Sequence, residues 1–195
     1  MNKKLKIKDV LLIALLTAVY MIIYMATMVI ITPLGALGHA ISPGICSLFS
    51  GIVIYFMSRK IGKMWQYSLM TLLVMANFAL MGGGYIPWLI SSVSMAVIAD
   101  FIASKSRDVS VFKVATASGI MHVGQAWGAI IPSIFFVESY KETWIKRGQT
   151  LESMNEQIKY TAGIWGIIST VLVFVLAFIG VYIGYLILRK HFKEN

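Results

Sequence analysis

Long apolar tracts alternate with short polar segments along almost the whole chain. Four of these tracts contain no Asp, Glu, Lys or Arg: residues 10–58, 64–99, 114–137 and 160–188. A helix that spans a bilayer needs about 20 residues, so the two longer tracts each have room for two spans. Glycine and proline, which favour turns, interrupt these two tracts in TPLGALGHAISPG (32–44) and GGGYIP (82–87).

This pattern predicts an all-α integral membrane protein that forms a single domain over residues 1–195. We expect six transmembrane helices, near residues 9–31, 42–58, 64–81, 86–103, 111–137 and 158–189. The composition supports a membrane protein, because charged residues make up 13% of this chain but roughly a quarter of a typical soluble domain. The basic start and the apolar run after it resemble a signal peptide, but the run is long enough to predict a retained first span.

Basic residues concentrate in every second connector. Thirteen of the 17 Lys and Arg residues lie before the first span, between the second and third, between the fourth and fifth, or after the sixth. Segment 138–159, on the opposite side, has four basic and four acidic residues. The positive-inside rule therefore predicts that both termini are cytoplasmic in a bacterial cell membrane. We expect the net charge of +9 to meet anionic lipid headgroups rather than nucleic acid.

One long polar connector, residues 138–160, is expected on the external side. Thr150, with Glu152 and Ser153 close behind it, is typical of a helix start. Two interpretations are open for this connector. It is either a lid over an outward-facing pocket or a solvated loop.

Two small residues, Ala14 and Ala18, lie one helical turn apart in the first apolar tract. Residues with this spacing share a helix face, and small side chains there let another backbone approach closely within a membrane. Met21, Met25 and Met28 extend the same face, and methionine adapts to surfaces that repack. The partner is either a helix of the same chain or another protein.

A chain of 195 residues with six predicted spans, cytoplasmic termini and an AxxxA motif, here Ala14-Leu15-Leu16-Thr17-Ala18, resembles the S components of energy-coupling factor (ECF) transporters. S components are the substrate-binding membrane subunits of micronutrient importers. The resemblance implies a six-helix bundle. It also implies that Ala14 and Ala18 contact the coupling helices of a transmembrane T subunit, which carries two ATPase subunits. In its overall character the sequence is similar to the Trep-Strep (MptD-like) group of S components.

The resemblance further implies that a small-molecule substrate binds near the outer face, which makes residues of the two external turns candidates for its site. In the first turn His39 is a candidate, although a surface histidine on a flexible loop is the alternative. In the second turn Tyr85 and Trp88 follow three glycines. Interfacial aromatic residues are also expected as membrane anchors, so both roles are open for Trp88.

Polar and aromatic residues within the predicted helices complete the candidate set. His122 and Gln125 share a face of the fifth helix, and an ionisable residue at that depth indicates function unless a neighbouring helix satisfies it. Asn77 is a candidate for ligand contact or for a hydrogen bond between helices. Tyr160 and Trp165 are expected to form an aromatic wall in the outer third of the sixth helix.

The candidate residues are polar or aromatic but almost uncharged, which favours a flat, neutral, vitamin-like ligand. Haem or a related tetrapyrrole is a further candidate, because both His and Met ligate haem iron.

Asp100 is expected to be solvated at the inner end of the fourth helix. The sequence thus offers no carboxylate at mid-membrane depth for a stand-alone proton-coupled transporter.

Other functions have less support in the sequence. Ser118 and His122 lie one turn apart, but the nucleophile elbow and oxyanion donors of a serine hydrolase are missing. The single cysteine, Cys46, cannot form an intramolecular disulfide, and the spacings show no zinc motif. A nucleotide-binding loop is absent, so ATP dependence requires partner subunits. We expect no catalytic residue, no metal and no cofactor, and a passive membrane scaffold remains an alternative.

Overall fold

The computed structural model describes residues 4–192, and all regular structure within this range is helical. The α-helices are α1 (Ile7–Ile31), α2 (Gly35–Lys60), α3 (Gln66–Leu80), α4 (Ile86–Ala103), α5 (Val111–Phe135), α6 (Val137–Ile145), α7 (Leu151–Thr161) and α8 (Gly163–Leu188). Short 3-10 turns follow α1 at Thr32–Leu34 and α8 at Arg189–His191.

Three helical stretches among the described residues are long and apolar enough to cross a membrane: Ile7–Lys60, Ile86–Ala103 and Gly163–His191. A fourth results if α5 and α6, which meet at a bend of 116°, are taken together as one broken span. The predicted all-α, multi-pass membrane architecture is confirmed. The count of six spans stays a prediction, because Ile7–Lys60 contains a chain reversal and α3 is a shorter apolar helix.

The chain reverses between α1 and α2 within one 3-10 turn. Gly35 follows this turn with a φ of +52°, a conformation that residues with a side chain rarely adopt. The two helices then run antiparallel. Tyr24 and Ser42 line the same cavity near the turn, and at the far end the Lys63 ammonium and the Asp9 carboxylate form an ion pair at 2.5 Å.

Helix α2 begins at Gly35 rather than at the expected residue 42, and Pro43 lies inside it. Proline has no N–H group for the carbonyl four residues earlier, which here belongs to His39. The Ser42 hydroxyl donates to that carbonyl oxygen at 2.8 Å. Hydroxyl side chains commonly satisfy the backbone groups that proline frees in membrane helices, so this glycine- and proline-rich stretch stays helical.

Two later boundaries also differ from expectation. Helix α5 ends at Phe135 rather than at 137, where the chain bends into α6. The expected helix 158–189 is divided, because Gly163 has a φ of +56° that interrupts the right-handed helical path. The sequence prediction that Thr150 starts a helix is confirmed, since its hydroxyl oxygen accepts from the Ser153 amide at 3.1 Å. Segment 138–160 therefore lies mostly in two helices, α6 and α7.

Glycine residues bring α2 and α8 to backbone distance. A Cβ atom added to Gly51 would lie 2.1 Å from the carbonyl carbon of Gly180, and one added to Gly180 would lie 2.3 Å from the Ser47 carbonyl oxygen. One turn further, a Cβ atom on Gly184 would lie 2.6 Å from the Ile52 Cα atom. Such small residues let membrane helices pack closely. Helix α2 also contacts α1, α5 and α7, which places it at the centre of the bundle.

The helix ends form two chemically different ends of the bundle. At the basic end, the Arg59 guanidinium donates to the Arg107 carbonyl oxygen at 2.6 Å, and the Lys60 ammonium lies over the Phe192 ring. These contacts join the end of α2 to the α4–α5 connector and to the segment after α8. At the opposite end, which we call the aromatic end, the turn at 81–85 meets α6.

Asp100 is buried at the basic end, which corrects the expectation that it is solvated. Its carboxylate accepts from the backbone N–H groups of Tyr67 and Ser68 in the first turn of α3, at 3.1 and 2.9 Å. The hydroxyls of Ser68 and Ser104 also donate to it, both at 2.6 Å. Helix N-termini have unpaired N–H groups and attract negative charge. A side chain of α4 thus caps α3.

We predict that Asp100→Asn lowers the free energy of unfolding by about 2–4 kcal/mol, because an amide nitrogen would face donors that need an acceptor. The measurement is thermal unfolding of the purified protein in a neutral detergent. Asp108→Asn is the matched control, since the Asp108 side chain is 73% exposed and is expected to change stability by less than about 0.5 kcal/mol. Equal unfolding temperatures for the two variants would contradict the capping role.

Candidate functional site

A cavity of about 380 Å³ opens at the aromatic end of the bundle. Helices α1 to α6 all contribute residues to it. Its aromatic residues are Tyr24, Phe78, Tyr85, Trp88, Tyr140 and Trp144, its thioethers are Met25, Met28 and Met81, and its main polar side chains are His39, Ser42 and Gln125. No charged residue lines it in the described part of the chain. This size and chemistry are typical of a small-molecule site with a few orienting polar groups.

Four of the eight predicted site residues lie together in this cavity: His39, Tyr85, Trp88 and Gln125. They come from α2, the α3–α4 turn, α4 and α5, so residues far apart in the sequence converge on one space. Burial raises the pKa of the Tyr85 phenol, although the charge of Arg147 acts in the opposite direction. The hydroxyl of Tyr85 is therefore a neutral hydrogen-bonding group at physiological pH.

The indole of Trp88 is positioned by Gly128 of α5. A Cβ atom added to Gly128 would lie 2.0 Å from the Trp88 Cδ1 atom, so a side chain at this position would displace the indole. The ring of Phe78 packs against the other side of the cavity wall, with its centroid 4.9 Å from that of Trp88. Close packing on α5 therefore holds this part of the cavity wall in place, and both predicted roles of Trp88 stay open.

His39 lies on α2 rather than on a flexible loop. Because Pro43 lies one turn later, the His39 carbonyl oxygen accepts from the Ser42 hydroxyl instead of a backbone amide. The side chains of both His39 and Ser42 line the cavity. The turn that the sequence marks with glycine and proline therefore supplies polar groups to the cavity from within a helix.

His122 lies one layer below the cavity and is fully buried. Its Nδ1 atom is 2.8 Å from the Ser118 carbonyl oxygen, which can only accept, so Nδ1 carries the proton. Its Nε2 atom is then an acceptor for the Tyr20 hydroxyl at 3.1 Å. This geometry matches the alternative in which a neutral histidine is satisfied by a neighbouring helix.

Gln125 connects this buried pair to the cavity. Its Oε1 atom lies 3.5 Å from the Tyr20 hydroxyl, and its side chain lines the cavity although the residue is only 5% exposed. The Tyr20 hydroxyl has one proton and two nearby acceptors, the His122 ring and the Gln125 amide oxygen. A ligand that binds Gln125 therefore also affects the hydrogen bonding of Tyr20.

The structure does not bring three other predicted residues to the cavity. Asn77 is exposed on α3, and its amide donates to the Leu73 carbonyl oxygen of the same helix at 2.8 Å. The rings of Tyr160 and Trp165 pack against each other with centroids 5.7 Å apart, and Trp165 is 41% exposed. A role for these three residues in ligand binding stays a prediction.

Helix α6 lines the cavity with two aromatic residues that are not among the predicted site residues, Tyr140 and Trp144. Tyr140 is buried, and its hydroxyl accepts from the Gln157 amide at 2.8 Å. The indole N–H of Trp144 is buried without a hydrogen-bond partner among the described residues. The Arg147 guanidinium lies 5.0 Å from the Trp144 ring and donates to the Gly84 carbonyl oxygen. The available signal was the spacing of four residues, which places both rings on one helix face.

Ala14 and Ala18 lie on an exposed face of α1. The buried face of this helix is a different one, which includes Ile13, Leu16 and Tyr20. The two alanines are thus exposed among the described residues, and the identity of their partner stays a prediction. This exposed face, on which Leu11 and Leu15 flank the alanines, is available to a separate protein or to lipid.

A family model described as a hypothetical bacterial integral membrane protein (Trep_Strep) matches residues 7–194. No curated protein and no solved structure matches the chain.

We predict that Tyr20→Phe lowers the free energy of unfolding by about 1–3 kcal/mol, because it leaves the buried His122 Nε2 atom without a donor. Tyr160→Phe is the matched control, since the structure gives the Tyr160 hydroxyl no hydrogen bond to a described residue, and we expect a change within about 0.5 kcal/mol. Thermal unfolding in detergent measures both changes. A Tyr20→Phe variant as stable as the wild type would show that the hydroxyl does not satisfy His122.

Proposed function

Since the chain belongs to the Trep_Strep family of bacterial integral membrane proteins, we propose that it is the substrate-binding S component of an ECF-type ATP-driven importer. In this role it captures a vitamin-like micronutrient at the outer face of the cell membrane. A transmembrane T subunit and two ATPase subunits then deliver the micronutrient to the cytoplasm.

The observation that carries the proposal is the position and lining of the cavity at the aromatic end. It lies at the end of the bundle away from the basic connectors, and the positive-inside rule predicts that those connectors are cytoplasmic. The cavity then faces outward, where a binding subunit meets its substrate. Helix α6, from the predicted external connector, supplies Tyr140 and Trp144 to its wall, as a lid would.

The lining favours a flat, neutral or aromatic ligand. Aromatic rings supply apolar contact, and His39, Ser42 and Gln125 supply hydrogen bonds that orient a polar edge. A strongly charged metabolite fits poorly, because an unpaired charge is costly to bury and no charged side chain among residues 4–192 lines the cavity.

Haem or another tetrapyrrole is the second candidate substrate. The imidazole of His39 and the thioethers of Met25, Met28 and Met81 line the cavity, and both groups are known ligands of haem iron. Among residues 4–192 no cation lines the cavity, which disfavours a substrate that carries carboxylates. We therefore rank haem below a neutral vitamin-like compound.

An intramembrane hydrolase has little support in the buried Ser118–His122 pair. The His122 Nδ1–H group donates to the Ser118 carbonyl oxygen, so this nitrogen cannot also accept the Ser118 hydroxyl proton as a general base must. A stand-alone proton-coupled transporter would use a buried carboxylate. The buried carboxylates in the described range, Asp9 and Asp100, are engaged at the basic end, and neither lines the cavity. The cavity itself argues against a passive scaffold.

The exposed strip of α1 supports the coupling role of Ala14 and Ala18. Small side chains on an exposed helix face allow the backbone of a partner helix to approach closely. Contact with lipid alone does not require small residues at positions 14 and 18, because larger apolar residues, such as the neighbouring exposed Leu11 and Leu15, contact lipid equally well.

We predict that the protein, purified in mild detergent from cells that supply the micronutrient, retains a small molecule that native mass spectrometry detects. Trp144→Ala or Trp88→Ala should reduce its retention about tenfold or more, because each removes an aromatic wall of the cavity. Trp65→Ala is the matched control, since Trp65 is exposed and lies outside the cavity. Equal retention in all variants would contradict a binding site at the aromatic end. The same experiment on Trp165→Ala tests the sequence prediction for that residue.

We further predict that Ala14→Trp or Ala18→Trp abolishes co-purification with the T and ATPase subunits, because a large ring prevents backbone approach. Ligand retention by the isolated protein should persist, since both alanines are exposed and lie outside the cavity. Ile183→Trp, on an exposed position of α8, is the control and should leave assembly intact. Loss of ligand retention together with assembly would instead indicate a damaged fold.

A further inference from the structure

A second cavity, of about 620 Å³, lies at the basic end between the C-terminal parts of α2 and α8. Three cationic side chains line it: Arg59, Arg189 and Lys190. No carboxylate lines it within the described residues. Like charges that converge on one space repel each other, so this arrangement favours an anion between them.

Arg59 is fixed in this cavity by its other contacts. Its Nη1 atom donates to the Arg107 carbonyl oxygen at 2.6 Å, and the exposed Asp108 carboxylate lies 4.0 Å from the same nitrogen. The Nε atom of Arg59 is buried and has no hydrogen-bond partner among the described residues. Because that nitrogen is enclosed by protein, an anion in the cavity would meet the terminal nitrogens of Arg59 and the side chains of Arg189 and Lys190.

Aromatic side chains form the wall of this cavity. Tyr55 is buried, and its ring packs edge-on against Tyr185 and Phe192, with centroid distances of 5.7 and 6.0 Å. Such packing holds the wall in place before a ligand arrives. Arginine side chains beside tyrosine hydroxyls offer several hydrogen-bond donors to one group of oxygens.

Cations at the C-terminal ends of helices also interact favourably with the helix dipole. That effect accounts for a basic residue at the end of α2 or of α8. It does not account for three cations around one cavity. The three cations that line this cavity would instead be stabilised by an anion that carries several oxygen atoms.

We propose that the cavity at the basic end binds the phosphate group of an anionic ligand, and that this ligand is the headgroup of an anionic phospholipid. The cavity lies at the end of the membrane helices, at the level where lipid headgroups are found. Basic pockets between transmembrane helices on the cytoplasmic side bind such headgroups. Free phosphate shares the same chemistry, so the experiment distinguishes the two sources. The proposal does not depend on the substrate of the aromatic end or on the coupling subunits.

The experiment measures lipid binding by the full chain in neutral detergent with equal amounts of phosphatidylglycerol and phosphatidylcholine. Native mass spectrometry reads the ratio of the two bound lipids. The test variant is Arg189→Gln/Lys190→Gln, which removes two of the three cations at exposed positions. The matched control is Lys105→Gln/Lys113→Gln, which removes the same charge from exposed residues at the same end that do not line the cavity.

We expect the wild type and the control to prefer phosphatidylglycerol, and the test variant to lose this preference by about tenfold or more. A second arm measures thermal stabilisation by inorganic phosphate against chloride at equal ionic strength without added lipid. Stabilisation by phosphate that the test variant alone loses would support the site with a soluble source. Equal losses in the two double variants, or no response of the wild type to either probe, would overturn the proposal.

Discussion

The close approach of α2 and α8 is the contact on which the rest of the bundle depends. Apolar side chains gain little by leaving lipid for a protein interior, so membrane helices associate through close packing and hydrogen bonds. Gly51 and Gly180 allow that packing at backbone distance. Because α2 also contacts α1, α5 and α7, this one interface positions helices at both ends of the molecule. A side chain at either glycine would clash with the backbone of the other helix and separate α2 from α8.

The second constraint is that polar groups in the membrane must be satisfied within the protein. Three sites show how the chain does this. The Ser42 hydroxyl satisfies the carbonyl that Pro43 leaves free, the Tyr20 hydroxyl satisfies His122, and the Asp100 carboxylate caps α3. Two of these sites lie beside or below the cavity of the aromatic end. The polar groups that hold the helices together there also determine which polar groups remain for a ligand.

The two ends of the bundle are therefore different in chemistry for structural reasons. At the aromatic end, the bend after α5 places Tyr140 and Trp144 over a cavity that no charged side chain of the described residues lines. At the basic end, the ends of α2 and α8 bring arginine and lysine around a second cavity. A binding subunit that takes up a neutral ligand on one side of a membrane, and contacts anionic headgroups on the other, would have this distribution of groups.

The sequence by itself determined the fold class, because charge-free tracts of sufficient length are compatible with few structures other than membrane helices. It determined the bounds of α4, between the GGGYIP turn and the basic connector, and the cap of α7 at Thr150. The family resemblance directed attention to His39, Tyr85 and Trp88 in the external turns, and Gln125 was a candidate as a polar group in an apolar tract. The tertiary structure decided the rest. Which way Asn77 points depends on the rotation of α3 against its neighbours, and Tyr140 and Trp144 reach the cavity through a bend of 116°. Asp100 meets the start of α3 through packing between helices. Such contacts join residues distant in sequence, so no local pattern records them.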